Sequence, residues 1–274
     1  MSTTDHTHLT TGWEADTPTG DTVLRRYLHC WARLTETFAV AGGGHATWAP
    51  GYAAADLGRA SGFFNAATLL RPLEGDGSDA VLDDIEGFFG GGTGEAHLWS
   101  AWPTPDLRAR GWHLVGHPPL LVRPPGAVMP PAASTRSASV DLDVVTDPDG
   151  LADWEQVAVE GYPLDELIGA PPGSLAHPRL LDDPRLQFTV GRHHGAPASI
   201  GTLFTDEGIG CFALGVTRPG ARHQGHWWAH AVHRIDAAPE VWMTGVFSDD
   251  SRPGAERLGF LPVLRFTLWA RPRA

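Results

Sequence analysis

The stretch Val216-Thr-Arg-Pro-Gly-Ala-Arg222-His-Gln-Gly225-His-Trp227 decides how this chain is read, together with Glu256-Arg-Leu-Gly259-Phe260 further on. The first stretch has the character of a strand end, a tight turn and a loop that opens a helix. Such a loop turns several backbone N–H groups toward one point at a helix N-terminus, where the first turn has no intrahelical acceptors. The helix dipole adds positive potential at that point, which suits a pyrophosphate.

A strand-ending Val216, then Arg222-x-x-Gly225, then Leu258-Gly259-Phe260 near the C-terminus resembles the GNAT superfamily of acyl-CoA-dependent N-acetyltransferases. Its signature runs Arg/Gln-x-x-Gly-x-Gly/Ala, and Trp227 stands where the family has Gly or Ala. The resemblance implies that the backbone of Leu214 and Val216 pairs with the pantetheine arm of acetyl-CoA or another short acyl-CoA. It also implies that the N–H groups of Arg222, His223, Gln224, Gly225, His226 and Trp227 hold the pyrophosphate. Close backbone approach is why Gly is wanted in such loops, so Trp227 either crowds the phosphates or turns its indole into the core.

The chain also echoes itself. Arg-Gly111-Trp112 with Arg123-Pro124 precedes Leu-Gly259-Phe260 with Arg271-Pro272, and Arg71-Pro72 precedes Arg218-Pro219, at a shared offset of about 147 residues. Ordered echoes at one offset point to duplication. The expected fold is therefore α+β, with two tandem GNAT-like domains, each a mixed, mostly antiparallel sheet flanked by helices. Residues 1–20 read as a poorly ordered N-terminus and 21–124 as a degenerate first domain. Residues 125–139 form a Pro-rich linker and 140–274 the acetyltransferase domain. In the first copy Gly75-Asp76-Gly77-Ser78-Asp79 occupies the place of the pyrophosphate loop, with no Arg and two Asp that would repel a phosphate.

Periodicity gives the elements. Asp21 suits an N-cap for a helix Val23 to Ala41, with Leu24, Leu28, Trp31, Leu34 and Phe38 on one face. A second helix is expected from Ser78 to Phe89, and strands at Ala67–Leu70, His97–Trp102 and Trp112–Arg123. In the second half a strand at Val140–Val145 and a helix at Asp149–Tyr162 precede irregular chain from Pro163 to Pro184. A meander follows at Gln187–Arg192, Ala198–Thr205 and Gly210–Thr217. Then come a helix His226–Ile235, a strand Val241–Phe247, a short helix Pro253–Leu258 and a strand Leu264–Arg271.

Candidate chemistry is sparse. Relatives place a Glu base on the strand ending in Val216, where this chain has Gly210 or Cys211. The Tyr acid of relatives corresponds to Ala255, and a frequent Asn to Ser248. Asp206, Glu207, Asp249 and Asp250 are candidate proton acceptors by their location near strand ends, though turn residues are often just solvated. His223, His226, His230 and His233 recur at helical steps. His226 is thus a candidate acid or base, and His226/His230 a chelating pair without a carboxylate to complete a metal site. The plain reading of this face is a polar, partly exposed helix side. Cys30 and Cys211 fit small core residues, as do Trp154, Trp242 and Trp269.

A chain of 274 residues with net charge −12 supports two domains and excludes nucleic acid and anionic membranes as natural partners. No long apolar run or signal pattern is present, so a cytoplasmic protein is expected; a homodimer is left open. All basic residues but His are Arg. The leading expectation is a transferase moving an acetyl or short acyl group from acyl-CoA to the amine of a small molecule. The alternative is a repurposed GNAT scaffold that binds a ligand or partner without transfer. A third reading is metal- or His-dependent chemistry on the helix 223–233.

Overall fold

The computed structural model describes residues 22–58, 63–73, 75–128, 140–162 and 164–273. Helix α1 (Val23–Ala41) covers the span its apolar spacing predicts. Its cap is Thr22, whose hydroxyl accepts from the Arg25 N–H at 3.1 Å. Asp21 and residues 1–20 lie outside the described residues, as does most of the Pro-rich stretch.

The first half continues with β1 (His45–Ala49), β2 (Tyr52–Asp56), β3 (Ala66–Leu69), α2 (Ser78–Phe88), β4 (Glu95–Ser100), β5 (His113–Gly116) and β6 (Pro119–Arg123). The second contains β7 (Leu142–Val144), α3 (Pro148–Gly161), β8 (Leu186–His193), β9 (Ala196–Asp206) and β10 (Ile209–Thr217). It ends with α4 (His226–Ala237), β11 (Trp242–Val246), α5 (Arg252–Arg257), β12 (Leu261–Arg265) and β13 (Thr267–Pro272). Residues 163–184 contain only short 3-10 turns between bends, apart from Pro163, which lies outside the description.

Two sheets form, ordered β1-β2-β3-β4-β13-β5 and β12-β6-β11-β10-β9-β8-β7. Apart from the extra edge strand β7 the orders superimpose, with β3 and β4 parallel across α2 just as β10 and β11 are parallel across α4. The sequence echo is thus a duplication of fold. Gly111 and Gly259 even share a left-handed backbone, with φ of 82° and 87°. Each closes a short helical turn and is followed by a buried aromatic, Trp112 or Phe260. A side chain would strain both positions.

The two uninterrupted strands expected at Trp112–Arg123 and Leu264–Arg271 are not found. Each segment is two strands belonging to different sheets. β5 stays in the first sheet while β6 inserts between β11 and β12. Reciprocally, β12 stays in the second sheet while β13 inserts between β4 and β5. At the crossing Phe266 N–H donates to the Pro118 carbonyl at 3.0 Å, and the Arg265 guanidinium donates to the His117 carbonyl at 2.8 Å. Pro118, without an N–H, cannot continue a ladder. The apolar pattern runs on through both breaks, so periodicity alone does not mark them.

Three cores result. α1 packs on strands of both sheets, and α3 on the second. Their shared core contains Tyr27, Phe38, Trp154 and Phe188, with Cys30 and Cys211 buried as free thiols. α2 closes the outer face of the first sheet over Leu69, Leu82, Ile85 and Trp269. α4 and α5 close that of the second over Phe212, Ala231, Met243 and Phe260.

Candidate functional site

β10 stays paired with β9 from Ile209 through Thr217, but with β11 only from Ile209 to Phe212, opposite Gly245. A bulge between Phe212 and Gly215 turns β10 away at that point. Beyond it the two parallel strands part, leaving one edge of residues 213–217 without a strand partner among the described residues. The gap opens into a cleft of about 2150 Å³, walled by the loop after β10, the start of α4 and α5. This cleft includes Val216, Arg222, His223, Gln224, Gly225, His226 and Trp227, so all the expected cofactor residues except Leu214 line one space. Leu214 turns its side chain into the shared core.

The loop has the backbone its sequence suggests. After a 3-10 turn at Pro219–Ala221, His223 and Gly225 take left-handed conformations, φ 63° and 88°. Gly225 is the N-cap of α4 and supplies no side-chain bond. The first-turn N–H groups beside the cleft therefore receive no bond from an N-cap side chain. Trp227 is half-buried; its indole lies over Gly254 of α5, where a side chain would have no room, and meets the Phe247 ring at 6.5 Å. The indole thus reaches across the cleft toward α5.

Charge is distributed unevenly. The chain as a whole has 32 acidic and 20 basic residues, yet the cleft is lined by Arg192, Arg222, Arg234 and Arg257 against the single carboxylate of Asp250. Arg192 is matched by Asp143 and Asp153. Arg222, Arg234 and Arg257 have no carboxylate partner among the described residues.

Of the four histidines expected on a polar, partly exposed helix side, His223 is exposed and His233 half-buried, but the other two depart from it. His226 and His230 are buried, at 3% and 1% exposure, facing the sheet. A chain of hydrogen bonds joins Thr189, His230, Ser199 and His226. Thr189 Oγ1 lies 2.8 Å from His230 Nδ1, and Ser199 Oγ lies 2.9 Å from His230 Nε2 and 2.7 Å from His226 Nδ1. Direction follows from the end of the chain. The Thr189 hydroxyl donates to the Gly201 carbonyl at 3.1 Å, so it accepts from His230 Nδ1–H. His230 Nε2 then accepts from Ser199, which accepts from His226 Nδ1–H. His226 Nε2 is left as the open lone pair at the head of the relay. Burial, with the Arg234 charge, lowers the His230 pKa to about 3, so it is a neutral link at ordinary pH. Gly191 and Gly201 pack against this relay; a side chain at Gly191 would come within 2.3 Å of the Ser199 hydroxyl.

The fork of β10 and β11 holds two residues that the motif did not indicate. Tyr162, following α3, donates its hydroxyl to the Gly215 carbonyl at 2.9 Å and accepts the Gly215 N–H at 2.8 Å. Burial raises its pKa, opposed by the Gly215 bond and by Arg234. Arg234, from the last turn of α4, reaches the same bulge. Its guanidinium carbon lies 3.9 Å from the Phe212 ring centre, and a Cβ on Gly215 would meet its terminal nitrogens at 3.4 and 3.5 Å. Burial brings its pKa down to about 10, so it stays charged at neutral pH. An Arg in the last turn of an otherwise apolar inner face was the available signal for this residue.

Other candidates sit apart. Asp206 ion-pairs with Arg185 at 3.1 Å at the β9–β10 turn, away from the cleft residues. Glu207 shares that turn, in a left-handed conformation. Asp249 is exposed beside the cleft-lining Asp250. Gly210 is packed against Met243, whose sulfur would lie 2.5 Å from any Cβ there, and Ala255 is buried. Among the described residues no group of three or more His, Cys, Asp or Glu is disposed to hold a metal ion. No helix among them is long and apolar enough to cross a membrane.

No family model matches the sequence, and no curated protein does. Solved structures do resemble it. A GCN5-related N-acetyltransferase from Kribbella flavida is 20% identical, over 89% of this chain and 96% of that one, with a TM-score of 0.59. A putative GNAT-family acetyltransferase from Novosphingobium aromaticivorans is 16% identical, over 88% and 99%, at 0.55. A functionally unknown conserved protein from Staphylococcus epidermidis is 15% identical, over 83% and 93%, at 0.56. The fold of this chain is the GCN5-related N-acetyltransferase fold in tandem, as the motif and the duplicated topology imply.

Proposed function

We propose that the second half binds acyl-CoA in the cleft between β10 and β11 and transfers an acetyl or short acyl group to a small-molecule amine. The observation that carries this reading is the coincidence of three features in one space: a strand edge without a partner, an uncapped α4 N-terminus, and Arg side chains without carboxylates in an acidic protein. The free edge of residues 213–217 suits an extended amide arm, and the loop suits a pyrophosphate. Acyl-CoA, when bound, supplies the thioester carbonyl that an amine nitrogen attacks, forming the C–N bond as the C–S bond breaks and the thiolate takes a proton.

The chain's own residues position this exchange. An arm running from the loop back along β10 would reach the fork, where Tyr162 fixes the Gly215 bulge from one face. Positioning supplies much of the rate in such transfers. An acceptor for the amine's proton is still required, and Asp250 is the one carboxylate lining the cleft. His226 sits eight residues before Arg234, about 12 Å along α4 at 1.5 Å per residue. It therefore serves the phosphate end rather than the acyl end. The packed Gly210 and buried Ala255 favour, as a second reading, a scaffold that binds acyl-CoA without transfer.

Thermal unfolding with and without acetyl-CoA tests binding: a ligand at about 100 times its Kd adds roughly 2.7 kcal/mol, a rise of several degrees for this size. Free-thiol release from acetyl-CoA in the presence of an amine panel tests transfer. A stability shift without thiol release selects the second reading; no shift removes both.

A further inference from the structure

Arg234 is a buried cation with no carboxylate partner among the described residues. It is 4% exposed, and among the described residues its donors reach two carbonyls: Nε to His230 at 3.1 Å and Nη1 to Thr202 at a long 3.4 Å. Arg123 shows what a merely structural buried guanidinium looks like here. It too lacks a carboxylate, but it donates to the carbonyls of Leu258, Pro124, Gly126 and Ala127 at 2.8 to 3.2 Å. Arg123 thus uses four of its five N–H groups. Among the described residues Arg234 commits only two of its five N–H groups, while it lines the cleft.

Its place in the cleft is specific. The guanidinium stacks on Phe212, the last β10 residue paired with β11, and lies against Gly215, whose missing side chain leaves the space it fills. This is the closed end of the fork, opposite to the loop that suits a pyrophosphate. A desolvated charge without a counterion is destabilising, and a resident anion offsets that cost. Carboxylate is the anion whose geometry a planar guanidinium matches with paired hydrogen bonds.

We infer that the closed end of the cleft is a carboxylate subsite built on Arg234, so that one of the two reactants carries a carboxylate close to the bond being made. The inference rests on the acyl-CoA reading. The carboxylate belongs either to the acyl group, as in a dicarboxylic acyl thioester, or to the amine, as in an amino acid.

Calorimetric titration separates these sources. In the first arm acetyl-CoA and succinyl-CoA are titrated into the wild-type chain and into Arg234→Met. An acyl carboxylate predicts at least tenfold tighter binding of succinyl-CoA than of acetyl-CoA, a preference lost in the variant. In the second arm amino acids and their carboxamides are titrated into the chain saturated with acetyl-CoA. An amine carboxylate predicts that amino acids bind at least tenfold better than the amides, again only with Arg234 present. Arg234→Met should unfold no earlier than wild type, because it removes an uncompensated charge; a structural Arg would show a lower Tm. Equal affinities in both arms overturn the subsite while leaving the acyl-CoA reading intact. Failure of every CoA species to bind overturns both.

Discussion

The two halves share one topology and differ in what they do with its parallel strand pair. In the second, β10 outruns β11 by five residues and the gap becomes a cleft. In the first, β3 ends at Leu69, one residue past its last pair with β4 at Thr68, so no comparable edge is freed. The helices after these strands differ in the same sense. At the offset of the sequence echoes, Asp79 and Asp83 stand where α4 has His226 and His230. Arg110 holds both Asp residues together with Glu86 on the surface of α2. The buried histidines of α4 instead brace the loop from beneath. A fold duplicated as a pair can keep one copy as a binding cleft and use the other for its shared core and exchanged strand.

The largest expected effect is on pH dependence. The His230 pKa is lowered from 6.5 to about 3, so between those values the unfolded chain binds a proton that the folded chain refuses. Stability is then full above about pH 6.5 and is lost as pH falls, by an amount on the order of a few kcal/mol. His97 in the first half, lowered to about 4 by burial, adds in the same direction. Chemical unfolding from pH 7.5 to 4 should show this slope, and His230→Gln should flatten it; an unchanged slope would place the acid sensitivity elsewhere.

Next comes the asymmetry of the loops. Gly225→Val, at φ 88°, should cut acetyl-CoA affinity at least about a hundredfold, roughly 2.7 kcal/mol. Gly77→Ala, with open space around its Cβ position, should leave affinity within about twofold. Similar losses from both would mean that the halves share the ligand. Ser199→Ala orphans buried nitrogens on two histidines and should cost about 2 kcal/mol, or roughly 4–8 °C in Tm. The smallest expected loss of affinity in the second half belongs to Arg222→Glu. This exposed residue should lose about tenfold in acetyl-CoA affinity at low salt and less at high salt, as surface charge is screened. A salt-independent loss would point to a distorted loop instead.

Much of this was legible in the sequence. Val216 to Trp227 and the Gly259-Phe260 motif gave the fold, because a left-handed Gly and a strand-ending Val are local demands of the backbone. The echoes gave the duplication, and apolar spacing placed α1 and α4 closely. Strand exchange was not legible: Leu120 to Val122 and Leu268 to Ala270 alternate the same way whichever sheet they enter. Nor did helical spacing show that His226 and His230 face inward. Their burial depends on Ser199 and Thr189, supplied from other strands, and on the room left by Gly191 and Gly201. Tyr162 and Arg234 meet at Gly215 from elements on opposite faces of the sheet, a relation no local pattern carries.

The central claim is that one cleft of the duplicated pair is a cofactor site and the other is not. Calorimetric titration of acetyl-CoA into the whole chain tests it through stoichiometry. One mole bound per mole of chain, abolished by Gly225→Val, is the expected result. Two moles, or none, would contradict the account.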